Sequence, residues 1–540
     1  MTKKRKTALM SVYYKTEQVY KDALELRANG FTIYASGGTF KFLKQNKVPV
    51  KDIAQIAGGG GILGNRVLTI SRGVGAGLLA QRVEKDVKEM EELGFPYIDL
   101  VYSGLYPLQE EIKRIGSNEE SVTKETDIGG ILLIRAGGKG RRLVCSRPGH
   151  LQKILAWEKL GRPNEKVFLR ELAADAEFVA ADYSLTSAKY LGGRKYEGLT
   201  GEIFRICKYG ENPFQTPAIV YENNLAPQNP LRHTNIVKVS GDDPSYNNSY
   251  DVDRLLYTVT KIAATFDVNY GKVPFIALGA KHGNCCGVGI SDSRSEVIKK
   301  MLIGDHESLF GGSVLFNFFI EKEGAELLLN YASDGNQLKL DNVLATGFSE
   351  EATALLERKK GKCRMAALGG LATLGKDSLD CHPNFKQLFG GDFMVQPANN
   401  FILKEEDELM VKYGELTRRQ IDDLLLAKCI NDSSNSNTIT IVKDGKLLGN
   451  GVGQTSRKIA AKLAVDIAQG AGHDLKGAVV ASDSFFPFTD ALEILINAGI
   501  EVVFAPSGSI NDKNTIQLAH NKAVVLWMMD YKICRGFLHR

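Results

Sequence analysis

A lysine and a histidine stand side by side in Lys281-His282-Gly-Asn-Cys-Cys-Gly287, directly after the apolar run Val273-Pro-Phe-Ile-Ala-Leu-Gly-Ala280. The run reads as a buried strand. A cation and an imidazole just past a strand end suit proton transfer, because strand ends in α/β domains open into ligand crevices. An adjacent ammonium favours the neutral imidazole, the form that accepts a proton. The same dipeptide on an ordinary surface turn would be inert, so the argument depends on what else the chain supplies. A second candidate is Ser36-Gly37-Gly38-Thr39, which follows the strand-like Phe31-Thr-Ile-Tyr-Ala35 and opens a helical stretch to about Gln45. Strand, small-residue loop and helix start together aim backbone N–H groups and a helix dipole at an anion. A third is the glycine-rich, cation-bearing region of Asp127-Ile-Gly-Gly130 and Arg135-Ala-Gly-Gly-Lys139.

The elements that must position these residues can be read from hydrophobic period and turn residues. Thr7–Val12 predicts a strand, Glu17–Ala28 a helix, and Ile98–Tyr102 a strand ending in the turn Leu105-Tyr106-Pro107. Strands alternating with helices indicate a parallel α/β domain. From about Leu151 to Gly192 the period is helical, as for a connector. The chain then starts afresh near Thr200. Cys207-Lys208-Tyr209-Gly-Glu-Asn-Pro-Phe-Gln215 is polar and turn-rich, and Ser313–Phe316 reads as a strand behind Gly304-Asp305. A charged stretch, Glu405–Leu426, is predicted helical and separates two halves. The second half runs through a strand beginning at Asn437, the Gly449–Gln454 loop, a helix over Ser456–Ala468, and Phe485-Phe486-Pro487-Phe488. Each half places polar residues after an apolar strand, which suggests two related α/β units. The predicted division is 1–199 and 200–540.

Composition limits the function classes. The chain has 540 residues, 44% hydrophobic and 24% charged, an ordinary globular balance for more than one domain. The formal net charge of +5 is too small to suggest nucleic acid as a partner, but suits phosphorylated small molecules. The basic start, Lys3-Lys-Arg-Lys6, precedes no apolar signal core, and no apolar run is long enough to span a bilayer. The eight cysteines are scattered, with no Cys-x-x-Cys spacing. That speaks against a disulfide framework and a zinc site, and fits a reducing cytoplasm.

In order along the chain, Ser36-Gly-Gly-Thr39, Leu105-Tyr-Pro107, Asp127-Ile-Gly-Gly130, Lys208-Tyr-Gly-Glu-Asn-Pro213, Lys281-His282, Phe310-Gly-Gly312, Ser436-Asn437, Gly453-Gln454, Ser482-Asp-Ser-Phe-Phe-Pro-Phe488 and Pro506-Ser-Gly-Ser509 resemble the motifs of the bifunctional AICAR transformylase/IMP cyclohydrolase family. The resemblance covers nearly the whole chain. It implies a methylglyoxal-synthase-like N-terminal domain and a C-terminal region of two cytidine-deaminase-like units without zinc. It also implies a homodimer with transformylase sites at the subunit interface. The expected substrates and products are AICAR, formyl-AICAR and IMP, with 10-formyltetrahydrofolate as formyl donor and no metal. By resemblance, His282 moves the proton, Lys281 supports it, and Asn437 holds the substrate. Phe486 and Pro487 form the folate-side wall, while Lys208, Tyr209, Asp305 and Arg535 contact the nucleotide. In the N-terminal domain the resemblance assigns Lys15, Ser36, Gly37, Gly38, Thr39 and Arg66 to substrate binding, and Tyr106, Asp127 and Lys139 to catalysis.

Four departures from the family pattern matter. Lys208 stands where the family has arginine, so a planar bidentate phosphate contact becomes a point charge. Phe214 replaces a histidine and Cys285 a proline. In Arg66-Val-Leu68-Thr-Ile-Ser-Arg72 the family's lysine position is Leu68, and its His-Pro pair is Ser71-Arg72. Leucine cannot hold an oxyanion. Two readings therefore stand: a transformylase that also cyclises its product, with Arg72 or Lys139 supplying charge, and a transformylase whose N-terminal domain only binds a ribotide.

Overall fold

The computed structural model describes residues 6–64, 66–223, 228–330 and 337–539, so the basic Lys3–Arg5 start lies outside the described residues. The chain forms two compact units, Met1–Thr200 and Gly201–Arg540.

In the first unit five parallel strands, β1 (Lys6–Val12), β2 (Phe31–Ala35), β3 (Val50–Asp52), β4 (Leu100–Gly104) and β5 (Leu143–Cys145), pair in the order β3-β2-β1-β4-β5. Ala8 and Met10 are buried on one face of β1 with Leu151 and Leu172, and Leu9 on the other with Val74 and Leu133. Burial on both faces is why these strands read as continuous apolar runs rather than alternating ones. The order reverses between β1 and β4. A crevice opens at such a reversal, outside the carboxyl ends of the strands. Tyr13–Lys15, Ser36–Thr39 and Leu105–Pro107 follow the ends of β1, β2 and β4.

The second unit contains a twelve-stranded sheet. Its first half comprises β8 (Val237–Ser240), β9 (Phe275–Lys281), β10 (Asn284–Ser291), β11 (Ser313–Phe316), β12 (Asn342–Ala345) and β13 (Arg364–Ala367). Its second half comprises β16 (Val411–Tyr413), β17 (Ile439–Lys443), β18 (Lys446–Gly451), β19 (Val479–Ser482), β20 (Val502–Ser507) and β21 (Val525–Asp530). Read outward from the centre, the halves run β10-β9-β11-β12-β13-β8 and β18-β17-β19-β20-β21-β16. The pair senses match at every step: antiparallel, antiparallel, parallel, parallel, antiparallel. The two related units expected from sequence are thus a topological repeat, joined where Gly289 of β10 pairs with Lys446 of β18. Two small hairpins, β6 (Glu202–Cys207) with β7 (Ala218–Glu222) and β14 (Asn384–Gln387) with β15 (Phe393–Gln396), form separate sheets.

Each half carries a helix before its central hairpin. Tyr246–Tyr270 follows a Ser245–Asn248 capping box, and Arg418–Asp432 follows a Thr417–Gln420 capping box. Both contribute to one core beneath the sheet. On the opposite face lie Arg294–Ile303 and Arg457–Gly470. These close on Gly287 and Gly289 of β10 and on Gly449 and Gly451 of β18. A Cβ at any of the four would collide with a helix carbonyl, those of Met301, Val297, Ala464 and Ala460 respectively. The Gly-x-Gly pair on each central strand is therefore part of the repeat.

The charged stretch predicted helical over Glu405–Leu426 is not continuous. It contains the edge strand β16, and the helix begins only at Arg418. Gly414, at φ +106°, turns the chain between them and offers its carbonyl to Trp527 Nε1 at 3.2 Å. The second unit's sheet is mixed, its four central strands forming two tight hairpins. Gly451→Ala is expected to cost about 2 kcal/mol or more of unfolding free energy. Denaturant titration of the full chain measures it, with Gly470→Ala, whose Cβ would meet nothing, expected to be neutral or stabilising.

Candidate active site

Lys281 ends β9 and Asn284 begins β10, so His282 and Gly283 are the two central residues of a hairpin turn. Both have positive φ, 52° and 73°, as a two-residue type I′ turn requires. The strand end predicted to open into a crevice is thus a hairpin tip, and His282 is exposed on it. The tip is held from below. Gly283 N–H donates to Asp251 Oδ1 at 2.8 Å, and its carbonyl accepts from Arg254 Nε at 3.0 Å. Lys281 Nζ donates to the Phe310 carbonyl at 2.9 Å, so the ammonium is tethered to the Phe-Gly-Gly loop. Burial raises the Asp251 carboxyl above its usual value, against the Gly283 N–H and the charge of His282.

The same turn is tied to the start of the second half. Arg254, 1% exposed, also donates to the Ser433 carbonyl. Asn435 N–H donates to Asn284 Oδ1 at 3.2 Å, and Asn450 Nδ2 joins Cys285 O at 3.2 Å to Ser434 Oγ at 3.0 Å. Asn437 follows two residues later. Its Nδ2 donates to Gln454 O at 2.8 Å, and its Oδ1 accepts from Arg457 Nη2 at 2.8 Å. Arg457 also meets the fully buried Asp483 at 2.7 Å and donates to Phe485 O at 3.1 Å. The C-terminal segment closes over this point: Gly536 N–H donates to Asp483 O at 3.0 Å and Ser436 N–H to Leu538 O at 3.0 Å. Arg535 is exposed there, its guanidinium 4.6 Å from the Phe537 ring centre. At the other side, Tyr209 O accepts Tyr246 N–H at 3.2 Å, which seats the Lys208-Tyr209 loop on the helix that carries Asp251. Lys281, His282, Asn437, Tyr209 and Arg535 therefore lie on segments joined by direct hydrogen bonds, with Lys208 exposed beside them.

One assignment from sequence does not hold in this geometry. Phe486 is 1% exposed and packs in the core with Leu492 and Val503, so it cannot form a ligand wall. Pro487 and Phe488 beside it are exposed. Asp305, assigned to the nucleotide, has its carboxylate bonded to Ser308, accepting the backbone N–H at 3.1 Å and the hydroxyl. Arg457 was missed by sequence reasoning. A signal existed: a cation in the first turn of a helix opposes the helix dipole, so an arginine there has a partner elsewhere. Asp483 and Asn437 are those partners.

In the first unit, Lys15 Nζ donates to Tyr13 O at 2.6 Å and lies over the N-terminus of helix Gly37–Gln45, where a Cβ on Gly38 would be 3.5 Å from it. Partial desolvation lowers the lysine's pKa. A cation and a helix N-terminus facing one another call for an anion between them. Ser36 Oγ pairs with Ser11 Oγ at 2.8 Å. Thr39, assigned to the cradle, is 2% exposed and its hydroxyl ties Val12, so only its backbone can serve an anion. Leu68 packs against the cradle, 3.9 Å from where a Gly37 Cβ would lie.

The Tyr106 ring lies tilted against that of Tyr13, ring centres 4.9 Å apart, and the Tyr106 N–H donates to Asp127 Oδ2 at 3.3 Å. Asp127 Oδ1 accepts Gly130 N–H at 2.6 Å, so the carboxylate caps helix Gly129–Lys139, and burial raises its pKa. A cleft of about 480 Å³ adjoins Tyr13, Tyr14, Pro107, Glu110, Arg114 and Glu125. Arg66 is exposed and donates to Leu63 O at 2.8 Å. Lys139 is not brought to this crevice. It ends the 11-residue helix whose start Asp127 caps, and that helix is about 16 Å long, so Lys139 lies a helix length away from Asp127. Among the described residues no group of histidine, cysteine or carboxylate side chains could hold a metal, and no helix is long and apolar enough to cross a membrane.

Arg457→Ala would leave the buried Asp483 without its counter-charge, though still bonded to Ser436 and Thr438, at an expected cost of about 3–5 kcal/mol. In a double-mutant cycle with Asp483→Ala, the second substitution should cost much less than it does alone. Additive losses would mean that the pair is not coupled.

Two family models match the chain. The AICARFT/IMPCHase bienzyme family model matches residues 143–467, and the MGS-like domain model matches residues 19–132. The bifunctional purine biosynthesis protein PurH of Caldicellulosiruptor saccharolyticus is 32% identical over 536 residues, covering 97% of this chain and 98% of the relative. PurH of Caulobacter vibrioides is 32% identical over 540 residues, 98% of this chain and 97% of the relative. PurH of Aquifex aeolicus is 33% identical over 535 residues, 96% and 98%.

Proposed function

The chain belongs to the AICARFT/IMPCHase bienzyme family, and from that premise we propose that His282 is the proton-transfer group of its formyltransferase half. The protein is an enzyme of purine biosynthesis acting on AICAR and leading to IMP. The formyl donor is 10-formyltetrahydrofolate. As the 5-amino nitrogen of AICAR attacks the formyl carbon, the His282 imidazole takes the amine proton, and the folate nitrogen leaves as it is protonated. The products are formyl-AICAR and tetrahydrofolate. Asn437, fixed by Arg457 and the Gln454 carbonyl, presents an amide to the substrate. Lys208, Tyr209 and Arg535 supply the nucleotide contacts. Pro487 forms the folate-side wall, and exposed Phe488 takes the part assigned to Phe486.

The observation that carries this reading is the Arg254 guanidinium, which binds the His282 turn and the Ser433–Asn437 segment to one another. The protein acts in the cytoplasm as a homodimer, with the transformylase sites completed at the interface.

The first unit binds the ribotide phosphate between Lys15 and the Gly37–Gly38 backbone, near Tyr106 and Asp127. Cyclisation joins the carboxamide nitrogen to the formyl carbon and expels water, and most of its catalysis comes from positioning and oxyanion stabilisation. With Leu68 at the cradle and Lys139 remote, Arg72 is the remaining cation of the two considered, opening helix Arg72–Leu79 just beyond Leu68. The second reading, a first unit that binds without cyclising, is favoured by Leu68 alone.

Purified protein with AICAR and 10-formyltetrahydrofolate is expected to yield formyl-AICAR, and His282→Ala to abolish it. Product resolved over time separates the two readings of the first unit. IMP formation with Leu68→Lys no faster than wild type supports a working cyclohydrolase. Formyl-AICAR that accumulates, and converts to IMP only in Leu68→Lys, supports a binding module. Formyl transfer persisting in His282→Ala would remove His282 from the mechanism.

A further inference from the structure

Gly283 is gripped at both of its backbone polar groups by side chains one helical turn apart, Asp251 at the N–H and Arg254 at the carbonyl. Asp251 is itself braced: Oδ2 accepts from Ser313 Oγ at 3.3 Å, and Ser313 Oγ accepts from Asn342 Nδ2 at 2.7 Å. The Gly283 peptide is packed as well as bonded, since a Cβ there would lie 3.2 Å from Arg254 Cγ and would meet the Tyr250 ring. His282, just before it in the chain, is a non-glycine residue at φ 52°, a conformation that costs energy and persists only where its surroundings enforce it. We infer that Asp251 is a positioning residue for His282, fixing the peptide from which the imidazole projects and so the direction in which it meets the substrate. This rests on the reading of His282 as the proton-transfer group.

The repeat supplies an internal comparison. Asp423 stands six residues after the Thr417 cap, as Asp251 stands six after Ser245. Its carboxylate accepts Gly445 N–H at 2.6 Å and Asp444 N–H at 2.8 Å. Lys443-Asp444-Gly445 is the counterpart of Lys281-His282-Gly283, again with two positive φ values, 60° and 69°. There the functions part. Asp444, at the His282 position, is tied down by Arg419, and the position of Arg254 is taken by the fully buried Leu426. The second turn keeps the supporting carboxylate but carries no proton-transfer group. Asp423→Ala therefore removes the same kind of support from the same fold without touching His282.

The test uses the full chain and compares Asp251→Ala, Asp251→Asn and Asp423→Ala with wild type and His282→Ala. Formyl transfer gives kcat and KM for AICAR. Histidine side-chain NMR, with the His282 signal identified by its loss in His282→Ala, reports the imidazole directly. Asp251→Ala is expected to lower kcat by ~10- to 100-fold with little change in KM. Asp251→Asn, which keeps the Oδ1 acceptor, should recover most of that loss, and Asp423→Ala should keep kcat near wild type. The His282 signal should move in Asp251→Ala and not in Asp423→Ala. Equal kcat losses in Asp251→Ala and Asp423→Ala, or an unmoved His282 signal, would overturn the inference. Undiminished transfer in His282→Ala would instead sink the underlying reading, and is distinguishable because the wild type and that variant then match. If Asp251→Ala does not fold, Ser313→Ala releases the brace on Oδ2 and leaves the Gly283 N–H on Oδ1, at the cost of the bond from Asn342 Nδ2. It is expected to lower kcat by about 3-fold, and an unchanged kcat would count against the inference.

Discussion

A buried guanidinium, that of Arg254, is the constraint on which the second unit's site depends. It is 1% exposed and spends hydrogen bonds on two carbonyls far apart in sequence, those of Gly283 and Ser433. Removing an arginine from water is costly unless its donors are met. Here the donors on Nε and Nη2 meet these two carbonyls, which fixes the distance between the hairpin tip that bears His282 and the segment that leads to Asn437. Once that distance is set, the rest follows by short links: Asn284 to Asn435, Asn450 to Cys285 and Ser434, Arg457 to Asn437 and Asp483. A low-dielectric interior strengthens each link and penalises each broken one. The site is therefore specified by the buried polar groups beneath it more than by the exposed residues that would touch substrate.

The repeat explains how a fold can afford such an interior. Each half has a capped helix, a tight hairpin, a Gly-x-Gly strand and a carboxylate supporting the hairpin tip. The common device is structural. What differs is the tip residue and what faces it: histidine above a buried arginine in one half, an aspartate paired with Arg419 above a buried leucine in the other. Function is thus a local departure from a shared scaffold, and the departure is concentrated in a few side chains.

Much of this organisation was legible in the chain. The strands at Phe31–Ala35 and Ser313–Phe316 and the helix at Glu17–Ala28 have the predicted bounds, since apolar period and caps there agree with tertiary burial. The motif residues that follow strands also fell where an α/β topology puts them. The failures have physical causes. Phe486 and exposed Phe488 are chemically alike and two apart, and only packing decides which is core. Lys139 was assigned with Asp127 by resemblance, yet a helix about 16 Å long stands between them. The His282 hairpin was read as an open strand end because His-Gly is a less familiar turn pair than Asn-Gly or Asp-Gly, although Asp444-Gly445 repeats it in the second half. Arg457 has no apolar period or motif glycine of its own; its only mark is a charge opposed to the helix dipole.

The first unit shows the converse arrangement, a binding device largely intact around an altered centre. The β1–β4 reversal, the Gly37–Gln45 helix start and the Lys15 ammonium all favour an anion, and none of them depends on Leu68. Phosphate recognition and acceleration of ring closure are separable, because only interactions stronger in the transition state than in the ground state raise the rate of the chemical step. A phosphate carries the same charge in both states, whereas the oxyanion exists only in the second. An apolar side chain facing a developing oxyanion gives no differential stabilisation, whereas an anion site that does not depend on that side chain is left unchanged. Any cyclisation then draws on positioning, on backbone N–H groups and on whatever cation the Leu68–Arg72 segment can bring forward, which makes the geometry of that segment, not the occupancy of the phosphate cradle, the feature that decides the first unit's chemistry.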